Sequence, residues 1–397
     1  MTKRSIYTTA VHAGERGPAP DFTPVTTPIY NSVGYIYPEM QELDDVFAGS
    51  KAGYIYARFG NPTNHALEVA LAALEGGEEA VAFGSGMAAL HAACLAAGVK
   101  AGASVVAAQD LYGATYALLA RFFGGMGVRS RFLDLTDLEG VERALAELRP
   151  VALVLEVISN PLLKLADVPR LVKLAHAYGA KVIVDSTFTT PYLYRPLEDG
   201  VDYVVHSTTK YLAGHGDALG GAVISSAADA RPVREALKQV GGNLGPNEAY
   251  LALRGLKTFP LRMRQHCANA ALAAEWLTAH PAVAHVNFPG LAAHPQHGLA
   301  RRLFGDRGYG GMISFELRGG DQATVFRFFE ALQLCLPVTS LGDVYTLVLY
   351  PAHSSHRSMT PAERAIAQVG PGLVRMSVGI EDPQDIIADL DQALARV

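Results

Sequence analysis

The chain has 397 residues, with 33 Lys or Arg against 38 Asp or Glu and a net charge of −5. That balance supplies no basic footprint for a nucleic acid or an anionic membrane surface. Half the residues are hydrophobic and only 18% are charged, which excludes global disorder and leaves ample material for large cores and interfaces.

Residues 1–60 are rich in Pro, Thr and Tyr, with Pro18, Pro20, Pro24 and Pro28 close together and no long helical period. They predict an extended arm, not a separate core, of the kind that can wrap a neighbouring subunit. Asn61-Pro62-Thr63 predicts a helix start, since proline suits the first turn and apolar residues follow at helical spacing through Leu74. A strand over 80–83 then runs into Gly84-Ser85-Gly86, and a second helix begins at Met87. The alternation continues with strands over 105–108, 129–133, 151–157, 181–184 and 201–205. Helices are expected over 115–123, 138–148 and 168–178. Short apolar strands alternating with helices predict an α/β fold, a mostly parallel sheet covered on both faces. After about Gly255 the rhythm changes. A long helical stretch over 256–279 precedes strands over 283–286, 311–317 and 345–349, a helix near 323–331 and a last helix over 386–395. The resulting division is an arm at 1–60, an α/β domain at 61–256 and a smaller C-terminal α+β domain at 257–397.

Cys94, Cys267 and Cys335 are far apart and form no CxxC pair. They argue against a disulfide scaffold or a zinc ribbon and for a reduced, cytoplasmic chain with buried thiols. Lys3 and Arg4 are followed by Ser, Tyr, Thr and His, not by an apolar targeting segment. The most apolar helix-like run, 88–99, contains His91 and is too short to cross a bilayer. His294-x-x-His297 and His353-x-x-His356 have helix-compatible metal spacing, but no cysteine or carboxylate cluster completes either set, so no metal is expected.

Four features carry chemistry, and open α/β sheets place ligands at strand ends. In Phe83-Gly84-Ser85-Gly86-Met87 a strand ends, glycines turn the chain and a helix begins. Free backbone N–H groups at a helix start suit a phosphate, although a plain tight turn reads the same way. In Val182-Ile183-Val184-Asp185 an acid follows directly on an apolar strand. It is either a solvated loop carboxylate or a shielded acid that holds a cationic nitrogen protonated. His206-Ser207-Thr208-Thr209-Lys210-Tyr211 puts hydroxyls beside an amine, with Gly214, Gly216, Gly220 and Gly221 close behind. A lysine with an ordinary pKa of about 10.4 needs a special environment to act as a nucleophile near neutrality. Tyr56 and Arg58, two apart in the arm, can reach one anion together if the segment is extended. Taken together, the four imply a phosphorylated pyridine aldehyde, the chemistry of pyridoxal phosphate (PLP). A nicotinamide-dependent oxidoreductase would need a third glycine where Ala89 stands. A non-catalytic binding protein on the same fold is opposed by the presence of Lys210, Asp185, Tyr112 and Arg375.

On these residues the chain resembles the PLP-dependent enzymes of cysteine and methionine metabolism: methionine γ-lyase, cystathionine γ-lyase, cystathionine γ-synthase and O-acylhomoserine sulfhydrylase. The matching segments run from Tyr56-Ala57-Arg58-Phe59-Gly60-Asn61-Pro62-Thr63 through Asp110-Leu111-Tyr112-Gly113, Ser159-Asn160-Pro161 and Ser340-Leu341-Gly342 to Arg375-Met376-Ser377-Val378-Gly379. The resemblance implies fold type I, the aspartate-aminotransferase architecture, and a homotetramer built as a dimer of dimers with shared active sites. It also implies roles. Lys210 would bind the cofactor and move protons, while Asp185 would hold the pyridine nitrogen protonated. Gly86, Met87, Ser207 and Thr209 would cradle the phosphate, with Tyr56 and Arg58 reaching it from the neighbouring subunit. Tyr112 would stack on the ring and assist the leaving group as a general acid. Arg375 would clamp the substrate carboxylate with Asn160, Ser340 and Thr339 around it. Thr339 stands where cystathionine-specific members tend to have Glu, Ala114 where methionine γ-lyases often have Cys, and Tyr350 where His is usual. The expected activity is that of a carbon–sulfur lyase performing γ-elimination on methionine or homocysteine. The alternatives are γ-replacement on an O-acylhomoserine and cystathionine cleavage.

Overall fold

The computed structural model describes residues 22–354, 357, 364 and 368–397. Lys3, Arg4, Pro18, Pro20 and His356 lie outside the described residues. Strands β1 (Glu79–Phe83), β2 (Ser104–Ala108), β3 (Arg129–Leu133), β4 (Ala152–Glu156), β5 (Lys181–Asp185), β6 (Tyr203–His206) and β7 (Gly221–Ser225) form one sheet in the order β1-β7-β6-β5-β4-β2-β3. The run from β6 to β3 is parallel, and β7 lies antiparallel between β1 and β6. Val182, Ile183 and Val184 are fully buried, as a central strand covered on both faces requires.

Each helix has a local cause. In α2 (Pro62–Glu75), after α1 (Met40–Ala48), Pro62 opens the first turn and the Asn61 side chain accepts from Thr63 N at 2.8 Å. Ser85 caps α3 (Gly86–Ala96) in the same way, accepting from Ala88 N at 3.1 Å. The next helices are α4 (Gly113–Ala117), continued by a π-helical turn over Leu118–Phe123, then α5 (Leu138–Leu148), α6 (Val168–Ala177) and α7 (Thr190–Leu193). They are followed by α8 (Ala227–Val240), α9 (Pro246–Leu256) and α10 (Phe259–Ala279).

Beyond α10, β8 (Val283–Asn287), β9 (Met312–Leu317), β10 (Leu336–Pro337), β11 (Leu347–Leu349) and β12 (Leu373–Ser377) form a second sheet in the order β10-β11-β12-β9-β8. It has its own hydrophobic core, in which Phe315, Phe328, Ile313 and Val374 are fully buried. The architecture is the expected one, a mostly parallel sheet with a separate, smaller C-terminal sheet.

Four local expectations need correction. Residues 40–48 of the segment read as extended form α1, with Val46 buried. The stretch 256–279 is not one helix, because the chain breaks at Lys257-Thr258 between α9 and α10. The break lets buried Arg262 turn back and donate to the carbonyls of Tyr211 (2.8 Å), Leu212 (3.2 Å) and Gly255 (3.0 Å). Of the glycines that follow Lys210, Gly221 does not serve a ligand but opens strand β7 (Gly221–Ser225), which the sequence pattern does not predict. A Cβ on Gly221 would sit 2.3 Å from the Ser85 carbonyl, so a glycine there lets the β1–α3 turn lie against the sheet. Strand β12, which carries Arg375, was not anticipated.

Candidate active site

The C-terminal ends of β1, β4, β5 and β6 open onto one cavity of about 470 Å³. It gathers Gly86, Met87, Tyr112, Asn160, Asp185, Ser207, Thr209, Lys210, Thr339 and Arg375 from seven separate stretches of chain. At one end, the N-terminus of α3 presents Gly86 and Met87 beside Ser207. A Cβ on Gly86 would approach the Ser207 Cβ to 2.9 Å, so only glycine admits this close approach. The Thr209 hydroxyl donates to the Gly220 carbonyl (3.2 Å) and accepts from Gly220 N (2.9 Å), which pins the loop that follows. Helix-end N–H groups flanked by hydroxyls form an anion cradle.

Lys210 sits in the turn after β6. Its Nζ donates to Ser340 Oγ at 3.0 Å. Burial, reinforced by the positive charge of Arg375, pulls its pKa down to about 8. This is the special environment that a nucleophilic lysine needs. Asp185 ends β5, and burial pushes its carboxyl above the ordinary range while hydrogen bonds from Thr187 oppose the shift. Thr187 N donates to Asp185 Oδ1 at 2.9 Å, and Thr187 Oγ1 accepts from Ser207 N at 2.9 Å. One threonine thus ties the acid of β5 to the hydroxyl-bearing turn after β6.

The opposite end of the cavity is cationic. Arg375 is 3% exposed; its Nη1 donates to Asn160 Oδ1 and its Nη2 to the Ser340 carbonyl, both at 3.1 Å. Its Nε is buried with no hydrogen-bond partner among the described residues. Burial lowers its pKa to about 10, so the group is a costly cation waiting for an anion. Tyr112, 42% exposed, lies on the wall, and its backbone N–H donates to Glu156 Oε1 at 2.6 Å. Ser340 reaches the site through its bonds to Lys210 and Arg375, and Thr339 lines the cavity directly.

Tyr56 and Arg58 are not brought to Lys210 within one chain. Arg58 lines a second cavity of about 400 Å³, where its guanidinium donates to the Lys238 carbonyl and stacks over the rings of Tyr56 and Phe59. Sequence reasoning gave no site role to Glu156, Thr187 or the apolar wall of Ile158, Phe188, Leu341 and Leu349. For Glu156 a signal existed, since it ends the apolar strand β4 as Asp185 ends β5. Cys94, Cys267 and Cys335 are buried free thiols. Among the described residues no group of three or more His, Cys, Asp or Glu is arranged for a metal, and no helix is long and apolar enough to cross a membrane.

Residues 7–395 match the family of Cys/Met metabolism PLP-dependent enzymes. The chain belongs to that family. It is 44% identical to an L-methionine gamma-lyase of Fusobacterium nucleatum subsp. nucleatum, over all of both chains. It is 43% identical to the L-methionine gamma-lyase of Pseudomonas putida, over 98% of this chain and 96% of that one. A solved Campylobacter jejuni chain described as an O-acetylhomoserine (thiol)-lyase superposes with a TM-score of 0.89 at 30% identity, covering 94% of this chain and 96% of its own. It carries N'-pyridoxyl-lysine-5'-monophosphate, the cofactor joined to a lysine.

The protein is therefore a PLP-dependent enzyme of sulfur amino acid metabolism, and its cavity fits the cofactor. An amine with a pKa of about 8, a buried acid and a helix-end anion cradle answer the aldehyde, the ring nitrogen and the phosphate of PLP, respectively.

Proposed function

We propose that the protein catalyses γ-elimination from methionine or homocysteine, releasing 2-oxobutanoate and ammonia with a thiol from methionine or hydrogen sulfide from homocysteine. The observation that carries this reading is full-length identity above 40% to L-methionine gamma-lyases. The cavity supports it. Arg375 offers an unpaired Nε to a carboxylate, while Thr339, Ile158, Leu341 and Leu349 bring no charge to meet a distal ammonium. An uncharged thioether side chain suits that wall better than cystathionine does.

Bound PLP supplies an aldehyde for the amino group and a cationic ring that withdraws electrons from the neighbouring carbons. Gly86 and Met87 N–H groups, with Ser207 and Thr209, hold its phosphate. Asp185 holds the proton on the ring nitrogen, and that cation in turn stabilises the buried carboxylate. Arg375, oriented by Asn160, fixes the substrate carboxylate. Lys210 Nζ then removes and returns protons along the substrate carbons. The Tyr112 hydroxyl protonates the departing sulfur.

Tyr56 and Arg58 complete the phosphate site of the adjacent subunit in a homotetramer, a dimer of dimers, which accounts for their distance from Lys210 in their own chain. The arm (1–60), cofactor domain (61–256) and C-terminal domain (257–397) divide the work accordingly. The buried, unpaired cysteines suit a reducing cytoplasm.

The second reading, γ-replacement on an O-acylhomoserine, is favoured by the likeness to the Campylobacter chain. One assay separates the two. Methionine, homocysteine, cysteine, cystathionine and O-acetylhomoserine are supplied with and without sulfide, and products are scored as 2-oxo acid or thiol amino acid. Elimination predicts 2-oxobutanoate from methionine or homocysteine without sulfide. Product formed solely from O-acetylhomoserine plus sulfide overturns it.

A further inference from the structure

Glu156 has no part in the chemistry described above, yet it lines the same cavity. It lies opposite Asp185 in the β4–β5 register, and burial together with that neighbouring acid raises its carboxyl well above the ordinary range. An acid in so unfavourable a setting carries a desolvation cost, which its contacts must offset. Oε1 accepts the Tyr112 backbone N–H at 2.6 Å, and the Asn160 backbone reaches the same carboxyl more loosely. Asn160 in turn accepts from Arg375 Nη1 at 3.1 Å. One side chain therefore touches the loops carrying both the tyrosine and the carboxylate clamp.

We propose that Glu156 is a positioning residue that locks Tyr112 and the Asn160–Arg375 pair at a fixed separation, so that an amino acid held by its carboxylate presents its γ-substituent to the tyrosine hydroxyl. This rests on the roles given above to Tyr112 and Arg375. Ser159 and Asp110 line a small polar pocket that Glu156 also lines, and the Asp110 carboxyl is a second acid that opposes ionisation of Glu156. Losing the acceptor of one buried hydrogen bond, which leaves the donor unsatisfied, costs roughly tenfold in equilibrium terms.

The test uses holoenzyme and glycine, which has a carboxylate for the clamp and nothing to eliminate. Its affinity is read from the change it causes in cofactor absorption. Glu156→Ala should keep wild-type PLP content and lose glycine affinity and kcat/KM by about tenfold each. In combination with Asn160→Ala, the loss should be much smaller than the product of the two single losses, because both act on one unit. A PLP-loaded Glu156→Ala enzyme with wild-type glycine affinity, or strictly multiplicative losses, overturns the proposal. Should Glu156→Ala not fold, Glu156→Gln decides. It keeps the volume and one acceptor oxygen, and its glycine affinity should fall about threefold with PLP content unchanged; wild-type affinity overturns the proposal. Tyr112→Phe and Arg375→Met separate the two levels. If both leave turnover intact, the roles assigned at the substrate end fail; if both abolish it while Glu156 variants behave as wild type, this inference alone fails.

Discussion

Lys210 Nζ donates to Ser340 Oγ at 3.0 Å, and the carbonyl of the same serine accepts from Arg375 Nη2 at 3.1 Å. One residue thus connects the amine that follows β6 of the large sheet to the guanidinium on β12 of the small one. The two cations share a neighbour, and Arg375 depresses the Lys210 pKa in addition to the effect of burial. The Arg375 guanidinium and the Lys210 amine are electrically coupled.

That coupling sets a pH dependence. The Lys210 amine is lowered from 10.5 to about 8, so it is protonated and unreactive below that value and becomes free as pH rises through it. The rate at which apo-protein takes up PLP covalently should climb through about pH 8 and level off above pH 9. In Arg375→Met, which removes the repelling charge, the midpoint should move upward. A midpoint near that of an ordinary lysine in the wild type would contradict this account.

Arg375→Met should lower kcat/KM for amino acid substrates by at least about 100-fold, since a buried charged clamp is worth several kcal/mol to its anion. The same change removes a buried cation whose Nε has no partner, so the melting temperature of the apo-protein should stay level or rise. Calorimetry and steady-state kinetics on one preparation check both signs. A large loss of stability would mean that Arg375 is structural first.

If Arg58 completes the cradle around Gly86 and Ser207 of an adjacent subunit, as proposed, Arg58→Ala should bind PLP more weakly. Mixed oligomers of Arg58→Ala and Lys210→Ala chains should regain activity, up to about a quarter of wild type if chains mix at random within each dimer. Absence of any recovery in verified mixed oligomers would confine each site to a single chain.

Thr339→Glu adds an acid to an otherwise uncharged stretch of wall. It should raise the ratio of kcat/KM for cystathionine over methionine by about tenfold, the scale of one charge-assisted contact. An unchanged ratio would assign selection to another wall residue, with Leu349 and Ile158 the nearest in chemistry.

Much of this site is legible in the residues alone, because its pieces lie at strand ends with strong local signatures. Asp185 follows three buried aliphatic residues, Lys210 follows β6 within a hydroxyl-rich turn, and Ser85 caps the helix whose first N–H groups face the cavity. What escaped has physical reasons. Strand β7 hides behind Gly220-Gly221, glycines required by contact with Ser85 and Thr208, which resemble a ligand loop in isolation. Strand β12 is recognisable mainly through its pairing with β9 and β11, contacts far apart in sequence. Glu156 reads as a solvated strand-end acid until β4 and β5 are aligned and Asp185 is found beside it. The break between α9 and α10 depends on Arg262 reaching carbonyls some 50 residues earlier, a tertiary demand that helical periodicity does not encode.

The most direct test is chemical. The purified yellow holoenzyme is reduced with borohydride, digested and mapped by mass. The pyridoxyl group should be found on the peptide containing His206-Ser207-Thr208-Thr209-Lys210-Tyr211, attached to Lys210. Attachment to any other lysine, or none in a fully loaded sample, would contradict the account of how this cavity works.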